Sequence, residues 1–329
     1  MGLCEGRWSE GLVREAVWLS GQAPFEHVEA ILQRLRGLSI SDSSIWRMVQ
    51  GCGERFRALE ERQRQEAMVP PVRWEPARGP RMGAAMDGTM VHVRGEGWKE
   101  VKVGSVYQVG RRAVREERTG ELVVVGEAEQ TSYVAHLGGP EAFGELMWAE
   151  ARRRGWLRAR DSQVLGDGAP WIWNLAGLHF GESLQLVDWY HAVEHLGVAA
   201  RLLHGEGTPE ARRWLCRGKE RLYQGQAAAI AQELWQEADG AEGADLLNRE
   251  AGYFQHNQHR MSYMEMREGE WPIGSGPVES AAKQIQQRFG GPGMTWSRAG
   301  AEHMLPIRTA IMSNRFDELW HTAHHPPPN

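Results

Sequence analysis

The apolar positions in the N-terminal part of the chain recur with the period of an α-helix. Three segments with this spacing follow one another, at 9–20, 24–37 and 42–58. In the second segment, Val28 and Leu32 fall on the same face of a helix. Ser41 or Asp42 can cap the start of the third, and a polar stretch continues it. The pattern predicts a small helical domain over residues 1–66.

The connection between the second and third predicted helices is short and runs from Gly37 to Ser41. This spacing is typical of a helix-turn-helix, whose second helix enters the major groove of DNA. The candidate recognition helix is Asp42–Gly51. Because positive and negative charges are balanced in this part of the chain, charge does not separate a DNA-binding module from an ordinary helical bundle. Both interpretations stay open.

A change of period after residue 80 marks a second region. The prolines near Val69 break the helical pattern, so a linker is predicted at 67–80. Valine-rich runs beyond it predict strands at 82–94, 101–109, 122–128, 163–167 and 184–188. The first could be one long bent strand or a strand pair. Helices are predicted between the later strands, at 140–154 and 169–178. This order predicts an α/β fold with a mixed sheet.

Helical periodicity returns after the last predicted strand. Residues 190–270 are predicted to be wholly helical and are interpreted as an insertion, because they interrupt the α/β alternation of a core that begins at 81–189. Two further helices, within 271–320, are predicted to complete that core. The tail 321–329 contains three prolines and is expected to be disordered.

Composition limits the classes of function. The chain has 329 residues, 41% hydrophobic and 25% charged, with a formal net charge of -5. It has no overall basic character, so any surface that binds nucleic acid must be local. Three scattered cysteines argue against a disulfide scaffold or a zinc ribbon. We find no signal peptide pattern and no apolar run of transmembrane length, so a cytoplasmic protein with no membrane partner is expected.

Three acidic residues far apart in the sequence are candidates for one metal site. Asp87 interrupts an apolar run, Asp167 follows a predicted strand, and Glu279 lies near the start of a predicted helix. A carboxylate in an apolar strand is costly unless it is paired or bound to metal. Each also has an ordinary explanation: a turn at the first, a helix cap at the second, and a helix dipole at the third. Together they are the hard oxygen donors that Mg²⁺ or Mn²⁺ prefers.

Asp188 and His191 form a second constellation, because positions i and i+3 share a helix face. The pair could bind metal, contact DNA or form a structural hydrogen bond. His195 follows His191 by four residues, but two histidines without a third ligand do not make a zinc signature.

Six blocks of the chain, spread over about residues 83–320, resemble those of the bacterial ISKra-type insertion-sequence transposases, relatives of the Mutator-like DDE enzymes. In chain order these blocks are Asp87–Thr89, Gly97–Gly104, Gly166–Trp173, Asp188–His191, Gly276–Lys283 and Arg288–Ser297. The resemblance implies an RNase H-like catalytic core with an α-helical insertion before the last catalytic helix. Fuller members of the family carry more sequence before the helix-turn-helix, which this chain lacks.

The resemblance also implies the roles of the acids. Asp87, Asp167 and Glu279 match the three metal-holding acids of the family, and Asp188 and His191 match its accessory box. Glu302 is a less favoured alternative to Glu279.

Two Mg²⁺ or Mn²⁺ ions are expected as cofactors, since two shared ions stabilise the attacking and leaving oxygens of an in-line displacement. In this hypothesis Asp87 bridges both ions, while Asp167 and Glu279 each complete one. Water makes the first cut, and the freed 3′-hydroxyl then attacks target DNA. The expected partners are the terminal inverted repeats, the target duplex and further copies of the chain. The alternatives are an inactive, transposase-derived DNA-binding protein and a glycoside hydrolase with paired carboxylates.

DNA contacts are predicted where basic and aromatic residues gather. Lys283, Arg288, Trp296 and Arg298 lie in or beside the last two blocks. Further arginines are candidates for phosphate contacts: Arg152, Arg153, Arg154, Arg158, Arg160, Arg308 and Arg315. A solvated basic face and, for Trp296, core packing are the alternatives.

Overall fold

The structure is a computed structural model that describes residues 3–4, 8–70, 78–115, 120–240, 243–291 and 293–326. The strands are β1 (Leu3–Cys4), β2 (Trp8–Ser9), β3 (Met82–Val93), β4 (Gly97–Arg115), β5 (Leu122–Leu137), β6 (Ser162–Gly166) and β7 (Leu184–Val187). The helices are α1 (Glu10–Gln22), α2 (Phe25–Arg36), α3 (Asp42–Met68), α4 (Pro140–Arg153), α5 (Pro170–His179), α6 (Trp189–His204), α7 (Pro209–Tyr223), α8 (Ala227–Ala238), α9 (Ala244–Asn257), α10 (Tyr263–Glu268), α11 (Gly276–Phe289), α12 (Arg298–Met312) and α13 (Phe316–His324).

Five of these strands form one mixed sheet in the order β5-β4-β3-β6-β7. The first three strands along the chain, β3 to β5, pair antiparallel, and β6 and β7 run parallel to β3. β3 is one continuous strand, which settles the choice between a bent strand and a strand pair. The predicted α/β class with a mixed sheet is therefore confirmed.

The central strand β3 is covered on both faces. Residues 82–86 are all buried, although successive side chains of a strand point to opposite faces. Helices α4 and α11 both pack against the sheet. Gly104 of β4 permits close packing, because a Cβ there would lie 2.0 Å from the sulfur of Met147 on α4. The centre of the sheet is thus buried, and polar groups can be placed at the ends of its strands.

The β4–β5 hairpin is longer than the sequence pattern predicted. Predicted strands at 101–109 and 122–128 extend to Arg115 and Leu137, so the polar stretch expected to separate them is partly strand. That outer part of the hairpin is largely exposed, so its side chains do not need the apolar alternation that marks a half-buried strand. The pairing shifts register between Val106 and Gln108.

The predicted helical insertion is present as α6 to α10. Within it, α6 packs against α7 and α9, and α8 packs against α7 and α9. Side chains fasten it to the sheet. Gln163 of β6 donates to the carbonyl of Pro272 at 3.1 Å, and Arg81 donates to the carbonyl of Gly269 at 2.8 Å.

The three predicted N-terminal helices are present; α1 and α3 pack against α12, and α2 packs against α1 and α3. Gly53 of α3 lies so close to α12 that a Cβ there would be 2.3 Å from the carbonyl oxygen of His303. Two buried arginines donate to the carbonyls that end α1, Arg288 to Ser20 at 2.7 Å and Arg308 to Gly21 at 3.1 Å. Cations suit these carbonyls because they form the negative end of a helix. Half of the predicted 67–80 linker, residues 71–77, lies outside the described residues, and its first two residues are the end of α3.

The prediction of a disordered tail at 321–329 was wrong for its first residues. Helix α13 runs to His324, and its Trp320 is 3% exposed. The Trp320 indole stacks on His324 at 3.9 Å and its Nε1 donates to Glu10 at 3.2 Å. This aromatic anchor orders the helix despite the prolines that follow, and residues 327–329 lie outside the described part. Among the described helices, none combines the length and apolar character needed to cross a membrane.

Candidate active site

The register of the parallel strands makes Asp87 and Asp167 neighbours. Ala85 of β3 pairs with Leu165 of β6. Asp87 and Asp167 each lie two residues further along, where β6 has ended and β3 continues. Because parallel strands keep their register, the two aspartates stand side by side at this edge of the sheet. Ligands in open α/β sheets gather at such an edge.

The carboxylate of Asp87 is largely enclosed. Burial raises its pKa above the ordinary value, and the negative charges of Asp167 and Glu279 add to the rise. The Gly88 N–H, which donates to Asp87 Oδ1 at 2.7 Å, and the nearby His191 act in the opposite direction. Mutual repulsion of this kind shows that the predicted acids share one electrostatic environment.

A tight turn places Asp167 just before α5. Its Oδ1 accepts the N–H of Ala169 at 2.8 Å, and Pro170 follows as the first residue of the helix. Gly168 between them has φ of +107°, a conformation that other residues rarely adopt. The helix-capping explanation and the proposed ligand role are compatible, because one carboxylate oxygen serves the turn.

Glu279 reaches the same place from α11. A cleft of about 310 Å³ is lined by Asp87, Glu279, His191 and Lys283, among others. Of the three predicted acids, Asp87 and Glu279 line this cleft, and Asp167 adjoins Asp87 on the next strand. Lys283 is exposed and its Nζ lies 3.6 Å from Glu279 Oε2, so an anion entering the cleft would meet a positive charge beside the acids.

The tightest group of potential ligand atoms differs from the predicted set. Ligand atoms of Asp188, His191 and Glu279 lie within 4.8 Å of one another. Asp188, however, is fully buried, and its two oxygens accept the N–H groups of His191 at 2.9 Å and of Ser275. It caps α6 and ties down the turn before α11. We therefore assign Asp188 a structural task and regard His191 and Glu279 as the accessible donors.

Tyr253, which the sequence did not single out, holds Asp167 in place from the insertion, and it is supported in turn by His195 and Glu250. The Tyr253 hydroxyl donates to the Asp167 carbonyl at 2.9 Å. The Tyr253 ring stacks on His195 at 3.6 Å, and His195 Nδ1 lies 2.5 Å from the buried Glu250. No sequence signal marks these contacts, because α6 and α9 are distant along the chain. His195 is thus held by stacking on Tyr253 and by a hydrogen bond with Glu250, rather than by contacts with other candidate metal ligands.

Lys102 is a further residue that sequence analysis missed. Its side chain is 5% exposed, yet its Nζ lies 2.7 Å from Glu100 and 4.3 Å from the centre of the Trp171 ring. In the β3–β4 register it pairs with Gly88, next to Asp87. Because successive side chains of a strand point to opposite faces, Lys102 lies on the face of the sheet opposite to Asp87.

Glu302 does not join the cleft. It forms ion pairs with Arg57 at 2.9 Å and with Arg298 at 3.5 Å, and Arg298 also pairs with Glu96 through two nitrogens. The described geometry therefore favours Glu279 over Glu302 as the third acid.

The predicted DNA-contacting residues differ in exposure. Lys283 is exposed and Arg298 is half-buried and paired with Glu96, whereas Arg288 and Trp296 are 4% and 6% exposed. Trp296 donates its Nε1–H to the carbonyl of Phe289 at 3.0 Å. The surroundings of Trp296 therefore support the core-packing alternative. Arg288 and Trp296 both line a separate cavity.

The arginine cluster around residues 152–160 is mostly committed to contacts within the chain. Arg152 donates to the carbonyls of Ala67 and Val69, and Arg153 pairs with Glu150. Arg315 also pairs with Glu150. These arginines fasten the helices to one another, and their role as phosphate contacts stays a prediction.

No protein-family model and no curated protein matches this chain.

The donor set suits a hard divalent cation. In Asp87 and Asp167, Oδ1 accepts a backbone N–H, and no hydrogen bond of the described residues occupies Oδ2. Glu279 adds a partly exposed carboxylate. Oxygen donors held in this way match Mg²⁺ or Mn²⁺, and the residues present fit such an ion.

Proposed function

We propose that this chain is a DDE-type transposase, a metal-dependent enzyme that cuts and joins DNA strands. The observation that carries the proposal is the convergence of Asp87, Asp167 and Glu279 from β3, β6 and α11. The strand order and directions of the sheet support an RNase H-like core. The resemblance of the sequence blocks supports the same proposal.

Each acid has a distinct task in the proposed reaction. Bound Mg²⁺ or Mn²⁺ supplies Lewis-acid stabilisation of the oxygens in an in-line displacement. Asp87 and Asp167, fixed by backbone hydrogen bonds, would hold the two proposed ions where β6 ends. Glu279 would complete the donor set from α11, and Lys283 would attract the phosphate to the cleft. His191 lines the cleft, where it can accept or donate a proton.

The proposed substrate is double-stranded DNA that carries the terminal inverted repeats of a mobile element, together with a target duplex. A homo-oligomer is proposed because two element ends must be held together during strand transfer. Lys283, which is exposed, is the proposed phosphate contact in the cleft, and the half-buried Arg298 is a further proposed contact.

A nicking assay tests the proposal. Purified protein is incubated with Mg²⁺ or Mn²⁺ and a duplex made from the DNA that flanks its gene, and strand breaks are mapped on a sequencing gel. Asp87→Asn, Asp167→Asn and Glu279→Gln should each lower the cleavage rate by about a thousandfold or more, because each removes part of the metal site.

The matched control is Glu206→Gln, which changes an exposed acid of the insertion and should leave cleavage unchanged. Cleavage that persists in Asp87→Asn would refute the assignment. Binding of the flanking DNA without any cleavage by the unmodified chain would instead support the inactive DNA-binding alternative.

A further inference from the structure

A second cavity lies at the junction of the N-terminal helices and the core. Its volume is about 510 Å³, and it forms between the starts of α2 and α12, the exposed side of α3 and the ends of β3 and α11. The residues that give it its chemistry are Phe25, Trp46, Arg94, Arg288, Met294 and Trp296. Asp87 is seven residues from Arg94 along β3, about 23 Å at the rise of a strand. The cavity is therefore separate from the acidic cleft.

Aromatic rings form the apolar part of this cavity. Trp46 is 42% exposed, whereas its neighbours Ile45, Met48 and Val49 on α3 are buried. Phe25 and Trp296 meet edge to face, with ring centres 6.2 Å apart. Rings arranged in this way provide flat surfaces on which a further ring can stack.

The polar part of the cavity is positively charged. Arg94 is exposed, and Arg288 is buried, with Nε bonded to the Ser20 carbonyl. Burial lowers the pKa of Arg288 to about 10, and the charge of Arg308 adds to this effect, so the guanidinium keeps its charge near neutral pH. Nη2 of Arg288 has no hydrogen-bond partner among the described residues, and its Nη1 contacts the sulfur of Met294 at 3.8 Å. Arg308 is the charged group that acts on the pKa of Arg288, and no carboxylate acts on it within the described part of the chain.

This arrangement favours an anion. A buried charge without a counter-ion is costly, and the α1 carbonyls offset only part of that cost. The N-termini of α2 and α12 add partial positive charge at the cavity, at Phe25 and Ser297. Arg288 is also placed over aromatic rings, 5.3 Å from the centre of Phe25 and 5.0 Å from that of Trp296.

We infer that this cavity binds one unpaired nucleotide of a DNA strand. The base stacks on the Trp46 side of the cavity and the phosphate lies towards Arg94 and Arg288. Aromatic stacking beside a cationic groove is how proteins hold unpaired bases without sequence preference. That the nucleotide belongs to a DNA strand rests on the proposed function. Its binding can be measured in the absence of catalysis.

The test compares duplexes that differ only in one nucleotide. Full-length protein in EDTA is titrated into a labelled duplex that carries one extrahelical 2-aminopurine, and into the same duplex fully paired. The extrahelical duplex should bind about fivefold to a hundredfold more tightly. Its 2-aminopurine fluorescence should fall on binding, because the base stacks on an indole.

Variants locate the site. Trp46→Ala and Arg94→Gln, both at exposed positions, should abolish the preference for the extrahelical duplex. Trp235→Ala changes an indole of similar exposure on α8 and should leave the preference intact. Circular dichroism of each variant verifies that it is folded.

Several outcomes would overturn the inference. These are equal binding of the two duplexes, an extrahelical abasic site that binds as tightly as the base, or a preference that survives in Trp46→Ala. If free dAMP at the same concentration as the duplex competes with it for the protein, the site binds free nucleotides. The inference that it binds a nucleotide within a DNA strand would then be wrong. Asp87→Asn should keep the preference, so loss of nicking and loss of this binding are separable results.

Discussion

Asp87 lies within β3, and Asp167 and Asp188 directly follow the neighbouring strands β6 and β7. The surroundings of the three carboxylates differ. Asp188 is fully buried and gives both oxygens to backbone N–H groups, whereas Asp87 and Asp167 each give one. The second oxygen of Asp87 and of Asp167 is therefore more available to a ligand than either oxygen of Asp188. This difference in hydrogen bonding supports the proposed ligand role of Asp87 and Asp167 and the structural role of Asp188.

Because the pKa of Asp87 is raised, we predict that its negative charge lowers the stability of the metal-free protein in a pH-dependent way. Its folded-state pKa lies above the unfolded value, so the folded state is favoured when this group is protonated and loses stability as pH rises through the raised pKa. In EDTA, Asp87→Asn should melt higher than the unmodified chain at pH 7–8, and the difference should shrink towards pH 4.

Differential scanning fluorimetry across this pH range measures the effect. Glu206→Gln, at an exposed position, should show a flat difference. A difference for Asp87→Asn that does not change with pH would show that the charge of Asp87 is not the cause. Added Mg²⁺ should raise the melting temperature of the unmodified chain more than that of Asp87→Asn.

At the scale of elements, the helical insertion supports the site through one hydrogen bond. Tyr253 of α9 reaches across to the Asp167 carbonyl, and Gly168 leaves room for its ring. Outer groups that orient a ligand commonly change metal affinity tenfold or more when they are removed. Tyr253 is thus a positioning residue in the proposed enzyme.

Tyr253→Phe should weaken Mn²⁺ binding about tenfold, while the free energy of unfolding falls by only about 1 kcal/mol, the usual net value of one hydrogen bond. Titration calorimetry with Mn²⁺ and urea unfolding measure the two quantities. Tyr190→Phe, at a 60% exposed position, is the control. Unchanged Mn²⁺ affinity in Tyr253→Phe would contradict the positioning role.

At the scale of the whole molecule, the N-terminal helices and the sheet core share a continuous set of buried side chains. The contact of Gly53 with the backbone of His303 depends on the absence of a side chain. This close approach joins α3, in the predicted DNA-binding region, to α12. The cavity beside it is formed by both regions at once.

Gly53→Ala should destabilise the chain by about 1–3 kcal/mol, because the added methyl group has to displace α12. Gly11→Ala is the matched control, since that glycine is also helical but a Cβ there meets nothing within 4 Å. It should be neutral or stabilising by up to about 1 kcal/mol. Urea unfolding gives both values, and equal effects of the two substitutions would contradict the proposed packing.

Much of the element order was predictable because apolar periodicity reflects burial. The helices of the N-terminal region and the insertion, and the cores of the strands, match their predicted positions closely. The outer β4–β5 hairpin and α13 were missed for opposite reasons. The first is exposed and carries no apolar pattern, and the second is ordered by Trp320 contacts with residues far along the chain.

The sequence by itself determined the α/β order, because the local periodicity of apolar residues reflects burial. Residue type, together with the resemblance to a family, predicted the three candidate acids. Only the tertiary structure decided which residues meet. It aligned Asp87 with Asp167 through strand register, buried Asp188 and Arg288, and brought Tyr253 to Asp167. Contacts between segments that are distant along the chain depend on packing, so the periodicity of apolar residues does not predict them.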